Sequence, residues 1–472
     1  MQPVITSAQA ASWDARSETP VTDLMERAGM AVAIGAAELG ASYGRRVIVL
    51  AGPGNNGGDG YVAAKHLKRR GAAVEVLALA EPKTDASRWA RSQAHAARVP
   101  ISPWRAPKEG PVPDLIVDAL FGAGFRGVLG EETLPWTTAN VPVVSVDVPS
   151  GLDATSGTAE GPTFAADLTV TFAALKVGHL LGIGPECSGR VTIADIGLSP
   201  GSFEFALCEE SDAPRPTRPR AGHKWSVGSV MLAGGSPGIS GALWLAARSA
   251  LRAGAGAVRM ALPGALEAAF SAPELMTLGV GASDRFSEAD ADTVLQAAGR
   301  FDVLVVGPGL GDSQEGFVGS IVERRVGPLL LDADALNAIS DPSILTQRTE
   351  STVITPHAGE FARITGSEAS YASAADLARS TGAVVLLKGS PTFVAGEDLW
   401  VVTSGGPELA TIGTGDVLAG MVAALWARGL EGEAATRSAA YWHGRAGSHL
   451  ARRGTVTSEA LAEEIRAWAW PE

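Results

Sequence analysis

Cysteine is nearly absent from this sequence, in which Cys187 and Cys208 are the only two among 472 residues. Two cysteines are too few for a disulfide framework, so the composition is typical of a reducing compartment such as the cytoplasm. No uninterrupted apolar run approaches the roughly 20 residues needed to span a membrane. The N-terminus also lacks the basic start and apolar core of a signal peptide. We therefore expect a cytoplasmic protein without a membrane partner.

Basic residues are also not in excess over acidic ones. Lysine and arginine number 38 against 51 aspartates and glutamates, which gives a formal net charge of -13. This balance argues against nucleic acid as a partner, but it leaves small anionic ligands open because they respond to local fields. Apolar residues make up 46% of the chain and charged residues 19%, as in folded globular proteins. The length exceeds what one hydrophobic core usually organises, so we expect two domains.

Short apolar runs that end in glycine-rich turns recur in both halves and predict parallel strands. In the first half the predicted strands cover residues 47–51, 74–79, 115–120, 143–148, 168–172 and 191–196, with helices at 21–39 and 61–70. In the second half they cover residues 227–233, 258–262, 303–306, 329–331, 353–354 and 384–387, with a helix at 242–253 and a mainly helical tail from 415 to 468. This alternation predicts doubly wound α/β domains.

The composition changes at residues 209–220, EESDAPRPTRPR, which contain three prolines and almost no apolar side chain. We place a linker there, between a first domain at residues 1–208 and a second at residues 221–472. In open α/β sheets ligands bind at the carboxyl ends of the strands, so the loops at that edge of each sheet are the candidate sites.

The stretch TIGTGDVLAG, residues 411–420, is the strongest candidate for chemistry. Its small residues lead into an apolar segment, a pattern that indicates a glycine loop turning into a helix, where free backbone N–H groups favour a phosphate. Asp416 would then be a carboxylate beside a phosphate, useful as a base or as a metal ligand. The alternative is an ordinary acid near a helix start.

Three strand ends of the first half carry acids next to glycine turns. They are the run from Asn55 to Gly60, Asp118 before FGAG, and Asp147 before PSG. Hard oxygen donors of this kind suit a cation, so the three together favour a site. The alternative is that asparagine, aspartate and glycine are simply turn residues.

In the second half, Lys388 in KGSPT would neutralise a phosphate or, equally well, be a solvated lysine in a hairpin turn. His357, after Thr355 and Pro356, would orient a substrate, although a lone histidine is more often a satisfied polar residue. The glycine-rich run at residues 307–311 is weak evidence of a site.

Taken together, these segments resemble the bifunctional NAD(P)H-hydrate repair enzymes, which join an NAD(P)H-hydrate epimerase to an ADP-dependent (S)-NAD(P)H-hydrate dehydratase. In the first half the resemblance rests on LMERAG, GPGNNGGDGYVAAKHL, VDALFGAG, SVDVPSGLD and TFAALKVG. In the second half it rests on GGSPGISGA, ALRAGAGAV, VGPGLG, TPHAGEFAR, LLKGSPT and TIGTGDVLAG. The family implies a Rossmann-like three-layer first domain and a ribokinase-like second domain.

The resemblance also implies the roles of particular residues. The hydrated nucleotide would contact the first domain through Asn55, Asn56, Gly57, Gly58, Asp59, Gly122, Ala123, Gly124, Phe125, Arg126, Gly127, Val128 and Asp147. A potassium ion would be held by Asn56, Asp118 and Ser150. In the second domain the hydrate would contact Ala242, Gly309, Gly311, His357 and Asp416. The adenine nucleotide would contact Lys388, Gly389, Ser390, Pro391, Thr392 and Gly415.

The resemblance implies an isomerase and a lyase in one chain, which repair NADH and NADPH hydrates with ADP as co-substrate and with potassium and magnesium ions. Asp416 is the expected catalytic residue, and a homo-oligomer is the expected assembly. Two alternatives stay open. A ribokinase-type small-molecule kinase would use the same loop to release a phosphorylated product, and the first domain would be a nucleotide sensor or scaffold if it lacked activity.

Overall fold

The alternation of apolar runs and glycine turns builds two α/β units. The first spans Pro3–Glu204, and the second runs from Phe205 onwards and includes Met1–Gln2. A computed structural model describes residues 1–107, 112–217, 223–268 and 273–468. No helix within those ranges is long and apolar enough to cross a membrane.

The strands of the first unit are β1 (Gln2–Ile5), β2 (Arg46–Ala51), β3 (Ala73–Ala78), β4 (Ile101–Pro103), β5 (Leu115–Ala119), β6 (Val143–Val146), β7 (Leu168–Phe172), β8 (Leu175–Lys176) and β9 (Arg190–Ala194). Seven of them form a parallel sheet in the order β4-β3-β2-β5-β6-β7-β9. The helices of this unit are α1 (Ser7–Ala15), α2 (Val21–Glu38), α3 (Asn55–Arg69), α4 (Asp85–Ala96), α5 (Leu134–Thr137) and α6 (Gly184–Ser188). Strands β1 and β8 pair in parallel.

Both faces of this sheet are buried. Successive side chains of a strand point to opposite sides, so each face packs in an apolar cluster of its own. Along β2, Val47 and Val49 pack in one apolar cluster with residues of α2, α3 and α4. Ile48 and Leu50 pack in another with Trp136 of α5. The unit is therefore a three-layer α/β structure, as the resemblance implied.

Helix α3 begins at Asn55, six residues before the predicted start at residue 61. The prediction was wrong because it assigned the glycines of NNGGDG to a flexible loop, whereas they allow close packing inside the first turns. A Cβ on Gly57 would lie 1.9 Å from the Gly52 carbonyl oxygen, and one on Gly58 would lie 2.5 Å from Cε of Met25. Glycine is thus needed at residue 57 for contact with the backbone.

The strands of the second unit are β10 (Phe205–Leu207), β11 (Ser229–Ala233), β12 (Ala257–Pro263), β13 (Met276–Val280), β14 (Val303–Val306), β15 (Leu329–Leu331), β16 (Thr352–Ile354), β17 (Val384–Leu387), β18 (Thr392–Ala395) and β19 (Leu399–Val402). They form a mixed sheet in the order β13-β12-β11-β14-β15-β16-β17-β18-β19-β10. The helices of this unit are α7 (Gly241–Arg252), α8 (Gly264–Glu267), α9 (Asp290–Ala298), α10 (Glu315–Arg324), α11 (Asp334–Asn337), α12 (Ala358–Thr365), α13 (Tyr371–Thr381), α14 (Thr414–Ala427), α15 (Gly432–Ala451) and α16 (Ser458–Trp468). Only the pairs that β18 makes, with β17 and β19, are antiparallel within this part of the described chain.

Helix α14 is the centre of the largest apolar cluster of the second unit. Its residues from Val417 to Trp426 are all buried, and they pack with α7, α15 and α16 on one face of the sheet. On the opposite face Tyr371 of α13 packs against Phe393 of β18, whereas the next residue, Val394, points to the α14 side. The sheet is therefore covered on both faces, which confirms the doubly wound prediction.

Residues 209–217, the described part of the expected linker, are not a free linker in the structure. Residues 205–207 form β10, which pairs with β19, and Cys208 and Ala213 are buried. The indole N–H of Trp442 donates to the Ala213 carbonyl at 2.8 Å. Residues 209–217 thus pack on the second unit, because their backbone groups find partners there despite the polar composition. Residues 218–222, which include the rest of the expected linker, lie outside the described ranges.

Candidate functional sites

A cavity of about 870 Å³ opens at the carboxyl edge of the first sheet. The segments after β2, β5 and β6 line it, as expected for an open parallel sheet. Its lining contains predicted residues from all three segments. They are Asn55, Asn56, Asp59, Gly122, Ala123, Gly124, Phe125, Arg126 and Asp147. The structure therefore brings together most of the residues assigned to the hydrated nucleotide.

Asp147 is the most constrained side chain of this cavity. One carboxylate oxygen lies 2.6 Å from Nζ of Lys176 and accepts a hydrogen bond from Oγ1 of Thr171 at 3.0 Å. The other accepts from the backbone N–H of Ala123 at 3.0 Å. Burial opposes ionisation of Asp147, but Lys176 and these donors hold its pKa below the usual value. Asp147 is thus an ionised carboxylate in a fixed position.

His179 fixes the backbone of the same residue. Its Nδ1 accepts from the backbone N–H of Lys176 at 3.1 Å, so Nε2 carries the proton and donates to the Asp147 carbonyl at 2.9 Å. Burial, and then Lys176, lowers the pKa of His179 to about 4. Asp147 has a φ of 65°, a conformation that a non-glycine residue keeps only when its surroundings hold it there. The neutral imidazole contributes to that constraint.

Asp59, in the second turn of α3, has a different environment. No hydrogen bond reaches its carboxylate from the described residues, and the pKa of Asp59 is raised well above its usual value, by burial first and then by Asp147 and Asp14. Asp14, on α1, also lines the cavity. Burial raises the pKa of Asp14, and Asp147 adds to that effect. One cavity therefore contains one anchored anion and two carboxyl groups that resist ionisation.

Asp118 and Ser150, two of the three residues assigned to potassium, are in contact. Ser150 donates to Asp118 from its hydroxyl at 2.6 Å and from its backbone N–H at 2.8 Å. Burial raises the pKa of Asp118 to about 6 despite these bonds, and no described cationic side chain pairs with it. Asn56 lies next to Gly122, and its buried Nδ2 has no hydrogen-bond partner in the described structure. The described residues contain no group of three His, Cys, Asp or Glu side chains placed to hold a metal.

The other residues assigned to the first site do not line this cavity. Gly57 and Gly58 are buried in the packing of α3. Gly127 lines a second cavity of about 690 Å³, together with Phe125, Arg126 and Asp153. Val128 is not among the lining residues of either cavity, and its side chain is 52% exposed. These residues shape the surroundings of the site.

Asp416 is the third residue of α14, which begins at Thr414, one residue before the predicted helical tail from residue 415. The residue before the helix, Gly413, has a left-handed φ of 87°, which a glycine adopts without strain. Burial, and then Asp332, raises the pKa of Asp416 to about 7, while Lys388 opposes the shift. The carboxyl group thus changes its charge near neutral pH, beside backbone N–H groups that lack helical partners.

Lys388 lies next to this helix start. A Cβ on Gly415 would be 3.5 Å from its Nζ. Nζ forms an ion pair with Asp332 at 2.9 Å and a longer one with Glu360 at 3.9 Å. Burial opposes the charged form of Lys388, but Asp332 and Glu360 raise its pKa above the usual value. The hairpin turn is present, yet Lys388 is a mostly buried cation, so the alternative of a solvated lysine is wrong.

The remaining predicted residues of the second unit lie on neighbouring turns. A Cβ on Gly309 would be 3.4 Å from Cβ of Ala242, and Gly311 donates its N–H to Asp334 at 2.8 Å. His357 immediately precedes α12 and caps it, because its Nδ1 accepts from the N–H groups of residues 359 and 360. Its side chain stays 57% exposed, so the ring caps a helix and still has a free edge.

The sequence reasoning missed several charged residues of both sites. Lys176 lies inside the motif TFAALKVG, from which no role was predicted for it, and no role was predicted for Asp14. In the second unit, Asp332 and Asp334 follow the predicted strand at residues 329–331, and Glu360 lies inside TPHAGEFAR. For the second unit, acids at the carboxyl ends of predicted parallel strands were an available signal. For Asp14, on the N-terminal helix, no local pattern existed.

Comparison with known proteins identifies the class of protein to which the chain belongs. A family model described as NAD(P)H-hydrate dehydratase matches residues 230–467, and one described as YjeF-related protein N-terminus matches residues 21–178. The bifunctional NAD(P)H-hydrate repair enzyme of Moorella thermoacetica is 37% identical over 92% of this chain and 89% of that protein. The enzyme of the same name from Mycobacterium tuberculosis is 36% identical over 87% of this chain and 86% of its own length.

A solved structure of an ADP/ATP-dependent NAD(P)H-hydrate dehydratase from Bacillus subtilis is 24% identical, with a TM-score of 0.49, and covers 56% of this chain and 98% of its own. Two α/β units, each with a carboxyl group of raised pKa at the carboxyl edge of its sheet, are consistent with a two-site enzyme. The chain belongs to the family of bifunctional NAD(P)H-hydrate repair enzymes.

Proposed function

We propose that the first unit interconverts the R and S epimers of hydrated NADH and NADPH, and that the second unit dehydrates the S epimer. The dehydration consumes ADP and gives AMP and phosphate. The observation that carries the proposal is the position of Asp416, whose pKa is about 7, at a helix start beside the buried cation Lys388. A base and a phosphate-binding surface therefore lie at the same point.

The chemistry explains why a base and a phosphate site are needed together. Hydration leaves a hydroxyl group on the ring carbon next to the nitrogen, and hydroxide is a poor leaving group. Asp416 takes the hydroxyl proton, and the oxygen attacks the β-phosphorus of ADP while the bond to AMP breaks. Phosphate then leaves the ring carbon with help from the nitrogen lone pair. Loss of a proton from the adjacent carbon restores the reduced ring.

Charge on the transferred phosphate is stabilised by two features of the second unit. The free N–H groups at the start of α14 point toward it, and Lys388 supplies a full positive charge. Residues 388–392 and Gly415 bind the nucleotide, while Ala242, Gly309, Gly311 and His357 bind the hydrate. Magnesium would be held mainly by the nucleotide phosphates, with Asp334 as a nearby hard oxygen donor, and would supply further charge neutralisation.

In the first unit, the cavity lined by Asp59 and Asp147 binds the hydrated nucleotide. Potassium would be held by Asn56, Asp118 and Ser150. The fit is supported by the buried Asp118 carboxylate, which has oxygen-bearing neighbours and no described cationic partner. A cytoplasmic location and a homo-oligomeric state stay predictions.

The function is tested by giving the purified chain the S hydrate of NADH or NADPH with ADP. We expect the absorbance of the reduced ring to return, with one AMP and one free phosphate for each ring restored. Parallel reactions with ATP determine the nucleotide preference. A stable phosphorylated product without recovery of the ring would show a kinase and overturn the proposal.

The dehydration rate should depend on pH through Asp416. Because its pKa is raised to about 7, the basic, ionised form is lost as pH falls through 7. We therefore expect kcat/KM for the S hydrate to rise roughly tenfold for each pH unit below 7 and to level off by about pH 8. Initial rates between pH 5.5 and 8.5, corrected for the reaction without enzyme, measure this profile. A flat profile would remove Asp416 from the proton-transfer step.

A further inference from the structure

Three carboxyl groups line the cavity of the first unit, and among the described residues only one of them has an ion pair with a basic side chain of the lining. Asp14, Asp59 and Asp147 all line it, and Lys176 is the basic side chain that pairs with one of them. Lys176 is almost fully buried, with a side-chain exposure of 4%, and its ion pair is with Asp147. Asp59 lies in the same cavity as Asp147, but no described side chain forms an ion pair or a hydrogen bond with its carboxyl group, so Asp59 is the group best kept protonated.

The surroundings determine which group keeps its proton. Asp147 receives hydrogen bonds from Thr171 and Ala123 in addition to the Lys176 ion pair. Asp59 has none of these stabilising contacts, and burial next to Asp147 raises its pKa. Two carboxyl groups whose environments separate their pKa values are suited to act as an acid and a base in one reaction.

We infer that Asp59 and Asp147 are the proton donor and proton acceptor of epimerisation, and that Lys176 is the residue that positions Asp147. This inference rests on the proposed function of the first unit and adds the groups that carry out its chemistry. Lys176 itself is not the donor, because its Nζ is already bonded to Asp147, to Thr171 Oγ1 and to the carbonyl of Phe172.

The step balances with water as the second reactant. Asp59 gives its proton to the ring hydroxyl, the C–O bond breaks, and water leaves while the nitrogen lone pair forms a C=N bond. A second water molecule adds to the opposite face, and the electrons of that double bond return to nitrogen. The added oxygen loses a proton to Asp147. Transfer of that proton from Asp147 to Asp59 restores both groups.

The ion pair with Lys176 is compatible with this role of Asp147. An oxygen newly bonded to a cationic carbon is a strong acid, so even a carboxylate of low pKa can accept its proton. Before the proton arrives, the anchored negative charge stabilises the cationic ring. The left-handed backbone of Asp147, held by His179, keeps the carboxylate in place without cost during the reaction.

Replacement of the donor is the first test. With the full chain and the R hydrate as substrate, conversion to reduced nucleotide requires epimerisation before ADP-dependent dehydration, whereas the S hydrate requires dehydration alone. We expect Asp59→Asn to lower kcat for the R hydrate by about 10²–10³-fold, with little change in KM. The rate with the S hydrate should stay at the wild-type value, which shows that the variant is folded and that the second unit works.

The positioning role of Lys176 gives a graded result. We expect Lys176→Met to lower kcat for the R hydrate about as much as Asp147→Asn does, and Lys176→Arg to recover at least tenfold of the loss. Asp85→Asn, which changes an exposed carboxylate on α4, is the matched control and should leave both rates unchanged. Equal losses in the methionine and arginine variants, or a loss confined to KM, would overturn the positioning role.

Isotope incorporation tests the bond that breaks. In water enriched in ¹⁸O, each epimerisation by the wild-type chain should place one labelled oxygen on the ring carbon, above the level found without enzyme. Epimerisation without incorporation would overturn the C–O cleavage step. Wild-type activity of Asp59→Asn with the R hydrate would overturn the assignment of the donor. Failure of the wild-type chain to convert the R hydrate at all would instead reject the proposed function of the first unit.

Discussion

Asp416→Asn should lower ADP-dependent dehydration of the S hydrate by about 10²–10⁴-fold, the range expected when a general base is removed. Asparagine occupies almost the same volume but cannot accept the hydroxyl proton. The loss should fall on kcat, because the N–H groups of α14 and Lys388 still bind the phosphates. Steady-state rates with the S hydrate and ADP, together with nucleotide affinity by calorimetry, measure the two quantities separately.

The stability of the Asp416→Asn variant at pH 8 is a control for its correct folding. In the folded chain the pKa of Asp416 is about 7, against an ordinary value of 3.8, so the folded state disfavours its ionised form. Stability contributed by the neutral group is therefore lost as pH rises from about 4 through 7. Asp416→Asn should be at least as stable as the wild type at pH 8. A stable variant with full dehydratase activity would show that another group is the base.

Lys388→Met should destabilise the second unit by about 3–5 kcal/mol, as expected when one partner of a buried ion pair is removed. Its partner Asp332 is 1% exposed and would be left with the Thr355 hydroxyl, which donates to it at 2.6 Å. The variant should also lose nucleotide affinity, because the cation beside the start of α14 is gone. Urea unfolding and calorimetric titration with ADP measure the two losses.

A second variant separates these effects. Lys388→Met combined with Asp332→Asn removes both charges of the pair, so most of the stability should return while the weak nucleotide affinity persists. Thr381→Val is a control for general perturbation of the core. Thr381 is a buried polar residue of the same unit. If the double variant regained both stability and nucleotide affinity, Lys388 would have a structural role only.

The strands were largely predictable because parallel strands buried on both faces are continuous apolar runs. The predicted strands at 168–172, 303–306, 329–331 and 384–387 match β7, β14, β15 and β17. The start of helix α3 was not predictable, because its early turns contain glycines that allow close contact with the Gly52 carbonyl and the Met25 side chain. Residues 205–208 were assigned to the first domain and residues 209–217 to a linker, whereas they belong to the second unit, since only the pairing of β10 with β19 fixes their location.

The residues of the two sites also divide into those that the sequence predicted and those that it did not. Asp147 was found because it directly follows β6, and parallel strands deliver their carboxyl ends to one edge. Asp416 was found because small residues lead into an apolar helical segment there. Lys176 was not assigned a role, because its ion pair with Asp147 joins residues 29 positions apart across two different strand ends. Asp332 was not linked to Lys388 for the same reason. Proximity of this kind depends on the sheet order, which no local pattern contains.

The close approach of Gly57 to the Gly52 carbonyl has a consequence for heritable variation in this enzyme. Even a methyl group at residue 57 would meet a backbone oxygen at 1.9 Å, so the start of α3 would have to shift. Asp59, two residues later, would move with it. An inactivating replacement can therefore arise at a position that touches no ligand, and a survey of tolerated substitutions should show residue 57 as invariant as the acids themselves.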